Sequence, residues 1–188
     1  MRLTAFAAAS LVLALTPGPG VLFIVARSLA AGRRAGLLAV AGVAAGNFAN
    51  AVAASLGLAA IFALWPPAFT GVRVAGGAYL VALGVLAWRA PAGVPAAPGR
   101  QAFWVALLNP KTTLFFAALL PPFLDPAGSA VLQSLLLGAV FVAIAAATDS
   151  AYALAAGLLA PRLAGQAAWG RRIAAAVYIG LGLYAAWP

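Results

Sequence analysis

Between Arg34 and Arg73 the chain runs for 38 residues without a charge, and two further uncharged runs, Leu3–Ala26 and Pro126–Thr148, hold 24 and 23 residues. About 20 apolar residues cross the hydrocarbon core of a bilayer as a helix, so these runs alone supply roughly three or four spans. Of the 188 residues 66% are apolar and 7% charged, whereas an ordinary soluble domain is about 25% charged. Too little polar surface remains to cover a soluble globule. The chain reads as an all-α integral membrane protein.

The same composition removes several chemistries. Neither cysteine nor histidine occurs, which excludes disulfides, thiolate and imidazole metal sites, and Ser-His-Asp catalysis. The only carboxylates, Asp125 and Asp149, are too few for a metal cage. The sole lysine, Lys111, stands in Asn-Pro-Lys-Thr rather than in a glycine-rich phosphate loop. No enzyme, ATP-hydrolysing domain, cofactor or metal is expected. The net charge of +9 gathers in three arginine clusters, Arg27/Arg33/Arg34, Arg89/Arg100 and Arg162/Arg171/Arg172. Apolar stretches separate them, so no continuous basic face is offered to nucleic acid. Their spacing is that of the positive-inside rule.

Six spans are expected: Thr4–Ala26, interrupted by "TPGPG" at Thr16–Gly20, Gly36–Leu64, Phe69–Trp88, Ala102–Leu120, Ala130–Leu159 and Arg172–Trp187. The N-terminus has the outline of a signal peptide, but hydrophobicity resumes at Val21 and continues to Ala26, so a retained helix is expected. Trp65, Trp88, Trp104, Trp169 and Trp187 fall near span ends, where an aromatic belt belongs. The loops after spans one, three and five hold eight arginines. That bias puts those loops in the cytoplasm and both termini outside.

The chain also repeats itself. "RVAGGAYL" at Arg73–Leu80 reads against "RIAAAVYI" at Arg172–Ile179 at an offset of 99, which also pairs Trp88 with Trp187 and Asn50 with Asp149. Pro17 and Pro110 pair at an offset of 93. An odd number of spans per repeat inverts the second copy. The expectation is therefore one transmembrane domain over residues 1–188, built as two inverted three-helix repeats of about 1–90 and 101–188. Inverted repeats with interrupted helices are common in secondary transporters, whose sites lie near the midplane. Small-residue-rich helices also align with one another easily, so chance similarity stands beside this reading.

The candidate site residues follow from the interruptions. Thr16, Pro17, Gly18 and Pro19 sit inside the first span, where proline removes a backbone donor. Either the helix breaks there and leaves backbone groups for a ligand, or it merely kinks. Asn109, Pro110 and Lys111 sit at a comparable depth in the fourth span. A lysine there either faces a partner or water, or snorkels to the interface. Asp149 is the one acid inside a span, and reads as a coupling site, as the ion-pair partner of Lys111, or as both. Asn50 is its repeat mate, and Asn47 lies on the same face of the second span. Gly42 and Gly46 make a small-residue face, which reads as packing.

"TPGPG", "GVAAGN", Gly57-Leu58, "VRVAGGAYLVALG", "NPKTTLFFAALLPPF" and Asp149 with Tyr152 occur in one order over the whole chain. That series resembles the LysE/RhtB family of bacterial amino-acid exporters. The resemblance implies a six-helix inner-membrane exporter of amino acids or related metabolites, driven by the proton gradient. Members often carry Asn after "TPGP", where this chain has Gly20, so no side-chain ligand is expected there. In the resulting reading the substrate is a small zwitterion or cation. Half-helix N-termini at the breaks take its carboxylate, Asp149 takes its ammonium or a proton, and Lys111 neutralises Asp149 when neither is bound. The expected partners are the small-molecule substrate, protons and the lipid bilayer, with homo-oligomerisation left open. An exporter of cations through oxygen ligands and a non-transporting assembly protein remain as alternatives.

Overall fold

The computed structural model of the chain describes residues 2–57, 61, 64–89, 98–161 and 167–186. Among the described residues there are seven α-helices and no strand. They are α1 (Leu3–Leu15), α2 (Pro19–Ser55), α3 (Pro66–Arg89), α4 (Pro98–Leu107), α5 (Pro110–Leu114), α6 (Ala130–Leu159) and α7 (Ala167–Ala186). A π-helical turn, Phe115–Leu119, and a 3-10 turn, Pro121–Phe123, follow α5. Among the described residues three helices are long and apolar enough to cross a membrane: α2, α3 from Pro67, and α6.

The first span is broken, not kinked. Thr16 leaves the helix with ψ 113 and Gly18 is extended at φ −144 and ψ −172, so α1 and α2 are separate elements. Pro19 opens α2 at the first turn, where its missing N–H costs no helical bond. The expected loop before residue 36 is absent. The chain stays helical from Pro19 to Ser55 except at Gly32, whose φ of 79 and ψ of 179 fold α2 sharply back. Only glycine adopts that backbone without strain, so a single residue makes the turn, with Arg33 and Arg34 beside it. α2 itself ends at Ser55, and Gly57 turns the chain at φ 94; the rest of the expected span to Leu64 lies mostly outside the described residues. Leu58–Ala60, Phe62 and Ala63 lie outside the described residues, as do Arg162, Trp187 and most of the Pro91–Gly99 stretch.

The expected span Ala102–Leu120 is divided at Pro110, where a break was expected. Pro110 lacks the N–H that would continue α4, so α4 ends at Leu107 and α5 restarts at Pro110. Beyond Phe123 the loop is clasped by Gln133, which donates from Nε2 to the Asp125 carbonyl at 3.0 Å and accepts the Asp125 N–H at 2.8 Å. The Ala127 N–H, 3.0 Å from the Asp125 carboxylate, holds that carboxyl below its ordinary range.

α2 packs chiefly on α6 and α4, and α3 packs on α7. Small residues set these approaches. A Cβ on Gly46 would lie 2.5 Å from the Phe103 carbonyl, and one on Gly42 would strike the Gly99 carbonyl, so this face is the α2–α4 contact. Two apolar cores result. One gathers Phe23, Ile24, Val40, Leu80, Val105 and Tyr178, with Phe23 and Tyr178 stacked at 5.4 Å. The other gathers Phe6, Phe115, Phe116, Leu137 and Phe141. Leu56, Leu86, Leu183 and Tyr184 point outward, as lipid-facing side chains do.

At the α3–α7 crossing a Cβ on Gly77 would lie 2.5 Å from the Gly182 carbonyl, and one on Gly182 would lie 2.5 Å from the Gly77 carbonyl. Gly77→Leu should therefore force the helices apart and cost about 1–3 kcal/mol, as overpacking does. Gly71→Ala, with nothing within 4 Å of the new methyl, should be neutral or slightly stabilising. Thermal unfolding in detergent measures both; equal melting temperatures for the two variants would refute the close crossing.

Candidate functional site

A helix that ends inside a bilayer leaves up to four carbonyls without helical donors, and lipid offers none. At the end of α1 most carbonyls of the last turn meet a side chain. Thr16 Oγ1 donates to the Val12 carbonyl at 2.8 Å. Lys111 Nζ donates to the Leu13 carbonyl at 2.9 Å and to the Thr16 carbonyl. The Tyr152 hydroxyl donates to the Leu15 carbonyl at 3.0 Å. Lys111 thus neither snorkels nor bonds Asp149 directly: among the described residues no ion pair joins them. It closes the negative end of a helix dipole from the partner broken helix. Gly18 makes room for its stem, since a Cβ there would sit 3.1 Å from Lys111 Cδ.

The second break is closed differently. Asn109 caps α5, its Oδ1 accepting the Lys111 N–H at 3.1 Å. Asn50 reaches across from α2, donating from Nδ2 to the Ala106 carbonyl at 3.0 Å and accepting from Thr113 Oγ1 at 3.4 Å. The Ala106 carbonyl lies in the last turn of α4, so Asn50 serves the backbone at that break.

Between the two breaks lies a small cavity, open on one side. Of the residues singled out in the sequence, Thr16, Gly18, Asn47, Asn109, Lys111 and Asp149 line it; Pro17, Pro19, Pro110 and Asn50 do not. Its walls draw on both cores, Val43 from one and Phe141 and Ala145 from the other. Asp149 is 4% exposed and Asn47 5%. Among the described residues no donor reaches the Asp149 carboxylate, and Asn47 Oδ1 has no hydrogen-bond partner. Tyr152 and Thr113 were not singled out as site residues. Tyr152 stands three residues after Asp149, the helical spacing that put Asn47 beside Asn50, and that spacing was the available signal.

The family described as LysE type translocator matches residues 11–187. The chain is 31% identical over 171 residues to a homoserine/homoserine lactone efflux protein of Salmonella typhimurium, covering 86% of this chain and 83% of the relative. It is 33% identical over 122 residues to a leucine efflux protein of Klebsiella pneumoniae, covering 59% of this chain and 58% of the relative. An uncharacterized membrane protein of Vibrio cholerae is 34% identical over 165 residues, 82% of this chain and 80% of its own. No solved structure matches.

The capping of α1 makes a ranking testable. Lys111→Met removes the side-chain donor to the Thr16 carbonyl and one of two donors to the Leu13 carbonyl, which keeps the Thr16 N–H at 3.2 Å, and leaves Asp149 without the nearby cation, whereas Tyr152→Phe removes one donor. An acceptor left unsatisfied away from water costs about 1–3 kcal/mol. In detergent the melting temperature should fall most for Lys111→Met and less for Tyr152→Phe. Asp149→Asn, whose carboxylate accepts no bond from a described residue, should fall least. A larger loss for Asp149→Asn than for Lys111→Met would show that the acid, not the carbonyl end, is what Lys111 serves.

Proposed function

The chain belongs to the LysE type translocator family, and from that premise we propose that it is a secondary transporter exporting amino acids or related small metabolites, coupled to protons. One observation carries the reading: a lone cation, Lys111, and a lone, deeply buried acid, Asp149, face one cavity at the junction of two broken helices. Charges are kept at such depth for ion or substrate pathways. The relatives named for homoserine, homoserine lactone and leucine efflux support a substrate of amino-acid size and chemistry.

The coupling follows from there being one carboxylate for two ligands. Deprotonated, Asp149 attracts a substrate ammonium; protonated, it does not. A proton arriving from the outer side therefore releases the substrate there, and loss of that proton to the cytoplasm readies the site again. Exchange of one cationic group for another on the same oxygen atoms makes the cycle an antiport. Lys111 stays on the carbonyls of α1 throughout and keeps the broken turn from collapsing.

The proposed frame is a single domain of six spans in the inner membrane, arranged as two inverted three-helix repeats. The matched chemistry of the breaks supports it. Pro19 opens α2 as Pro110 opens α5, so Pro19 rather than Pro17 is the counterpart of Pro110. The contacts of α1 with α6 and of α4 with α2 are the pair such a symmetry would relate, and α3 and α7 pack on each other. Rocking of one repeat against the other would open the cavity to each side in turn. The arginine-flanked turn at Gly32 then faces the cytoplasm and both termini face outward.

Two measurements test this. Everted vesicles or proteoliposomes loaded with the unmutated protein should drive uphill amino-acid movement under an imposed pH gradient. Asp149→Asn should abolish that uphill movement by roughly 10²-fold or more, the usual size of removing a positioned proton carrier, while the variant still inserts. Uphill transport by Asp149→Asn would sink the coupling. In the cysteine-free background, Ala127→Cys should react with an impermeant thiol reagent added to intact cells, and Ala31→Cys should not. The opposite pattern would invert the topology.

A further inference from the structure

The two broken helices are unequal as ligand sites, and the inequality selects a substrate; the inference rests on the exporter reading above. At α5 the capping side chain of Asn109 supplies an acceptor for the helix's own N–H groups. At α2 the cap is Gly18, which has no side chain, and Pro19 has no N–H. The first bond of that helix is the Leu22 N–H to the Gly18 carbonyl at 2.9 Å. The Gly20 and Val21 N–H groups are left over. Among the described residues neither meets an acceptor, and both residues line the cavity. Paired N–H groups at a helix start favour an anion.

A second observation is independent of the first. Asn47 is 5% exposed, lines the same cavity, and its Oδ1 has no donor. A buried acceptor without a partner is a standing penalty that a ligand N–H removes. Asp149, 4% exposed, lines that cavity as well. Lys111, meanwhile, commits two of its three ammonium hydrogens to the Leu13 and Thr16 carbonyls, which leaves one.

Charge decides the class of ligand. Among the described residues the lining holds one cation, Lys111, and one acid, Asp149, and is otherwise uncharged. A zwitterion preserves that balance. A dibasic amino acid brings a second cation for which the lining has no second acid, and Leu13, Val21, Val43 and Phe141 offer its side chain only apolar surface. We propose that the cavity binds a neutral α-amino acid with an apolar side chain by both its polar groups: the carboxylate on the Gly20 and Val21 N–H groups and the third Lys111 hydrogen, and the ammonium on Asn47 Oδ1 and the Asp149 carboxylate. Asn47 does not titrate, so it reads the ammonium whether or not Asp149 carries a proton.

The test is counterflow into proteoliposomes holding the full chain, using whichever of alanine, valine or leucine exchanges fastest. Competitors are its carboxamide, which lacks the carboxylate, its deaminated acid, which lacks the ammonium, and lysine. Each should compete weaker than the parent amino acid by roughly 10²-fold or more, because each leaves a buried polar group or charge unpaired. Competition by lysine or the carboxamide as strong as the parent's would overturn the two-ended site. Asn47→Ala should raise KM about tenfold, leave kcat largely unchanged and narrow the gap between the amino acid and its deaminated acid, as loss of uniform binding requires. An unchanged gap would overturn the role of Asn47. If that variant does not fold, the competitor panel on the unmutated protein decides alone. Absence of counterflow for every amino acid would sink the exporter reading itself, whereas counterflow without discrimination would sink only this site.

Discussion

The ammonium of Lys111 on the carbonyl end of α1 is the contact on which the rest of the molecule depends. A break inside a membrane span is stable only where its freed backbone groups find partners within the protein. Lys111 supplies them for the Leu13 and Thr16 carbonyls, and Tyr152 for Leu15. These donors come from α5 and α6, so the end of the first span is held from the second half of the chain. The cation in turn profits from the helix dipole and needs no direct carboxylate. Asp149 is thereby left without a bonded cation where it lines the cavity.

Small residues give this arrangement its close geometry. Gly18 admits the lysine stem, Gly42 and Gly46 let α4 approach α2, and Gly77 and Gly182 do the same for α3 and α7. With the backbones this close, Asn50 reaches the Ala106 carbonyl from another helix. The cavity survives between two packed aromatic and aliphatic cores, touching both.

Much of the candidate site was legible in the sequence because charge and proline are costly in lipid. Lys111 and Asp149 stand out in an apolar chain, and Pro19 and Pro110 cannot continue a helix, so the breaks and their neighbours were identifiable by residue type alone. Asn50 shows the limit. Its pairing with Asp149 by repeat suggested a site residue, yet its amide is spent on the Ala106 carbonyl and on Thr113. An asparagine that satisfies backbone and one that faces a ligand look the same in a sequence. Tyr152 shows the reverse: its spacing from Asp149 marks it as a neighbour of the site, but that its hydroxyl crosses to Leu15, a residue 137 positions away, is not in the spacing.

Residue by residue, then, the sequence determined what must be buried in lipid, where helices cannot continue, and which chemistries are absent, since transfer free energies and the missing N–H of proline belong to each residue regardless of its neighbours. The tertiary structure decided which partner each polar group takes. That Lys111 caps α1 rather than pairing with Asp149, that Asn47 keeps a free oxygen while Asn50 does not, and that Gly32 alone makes a turn within α2 are outcomes of helix approach in space. Hydrogen bonds reach only about 3 Å, so which groups meet depends on packing between distant segments, and no pattern along the chain encodes it.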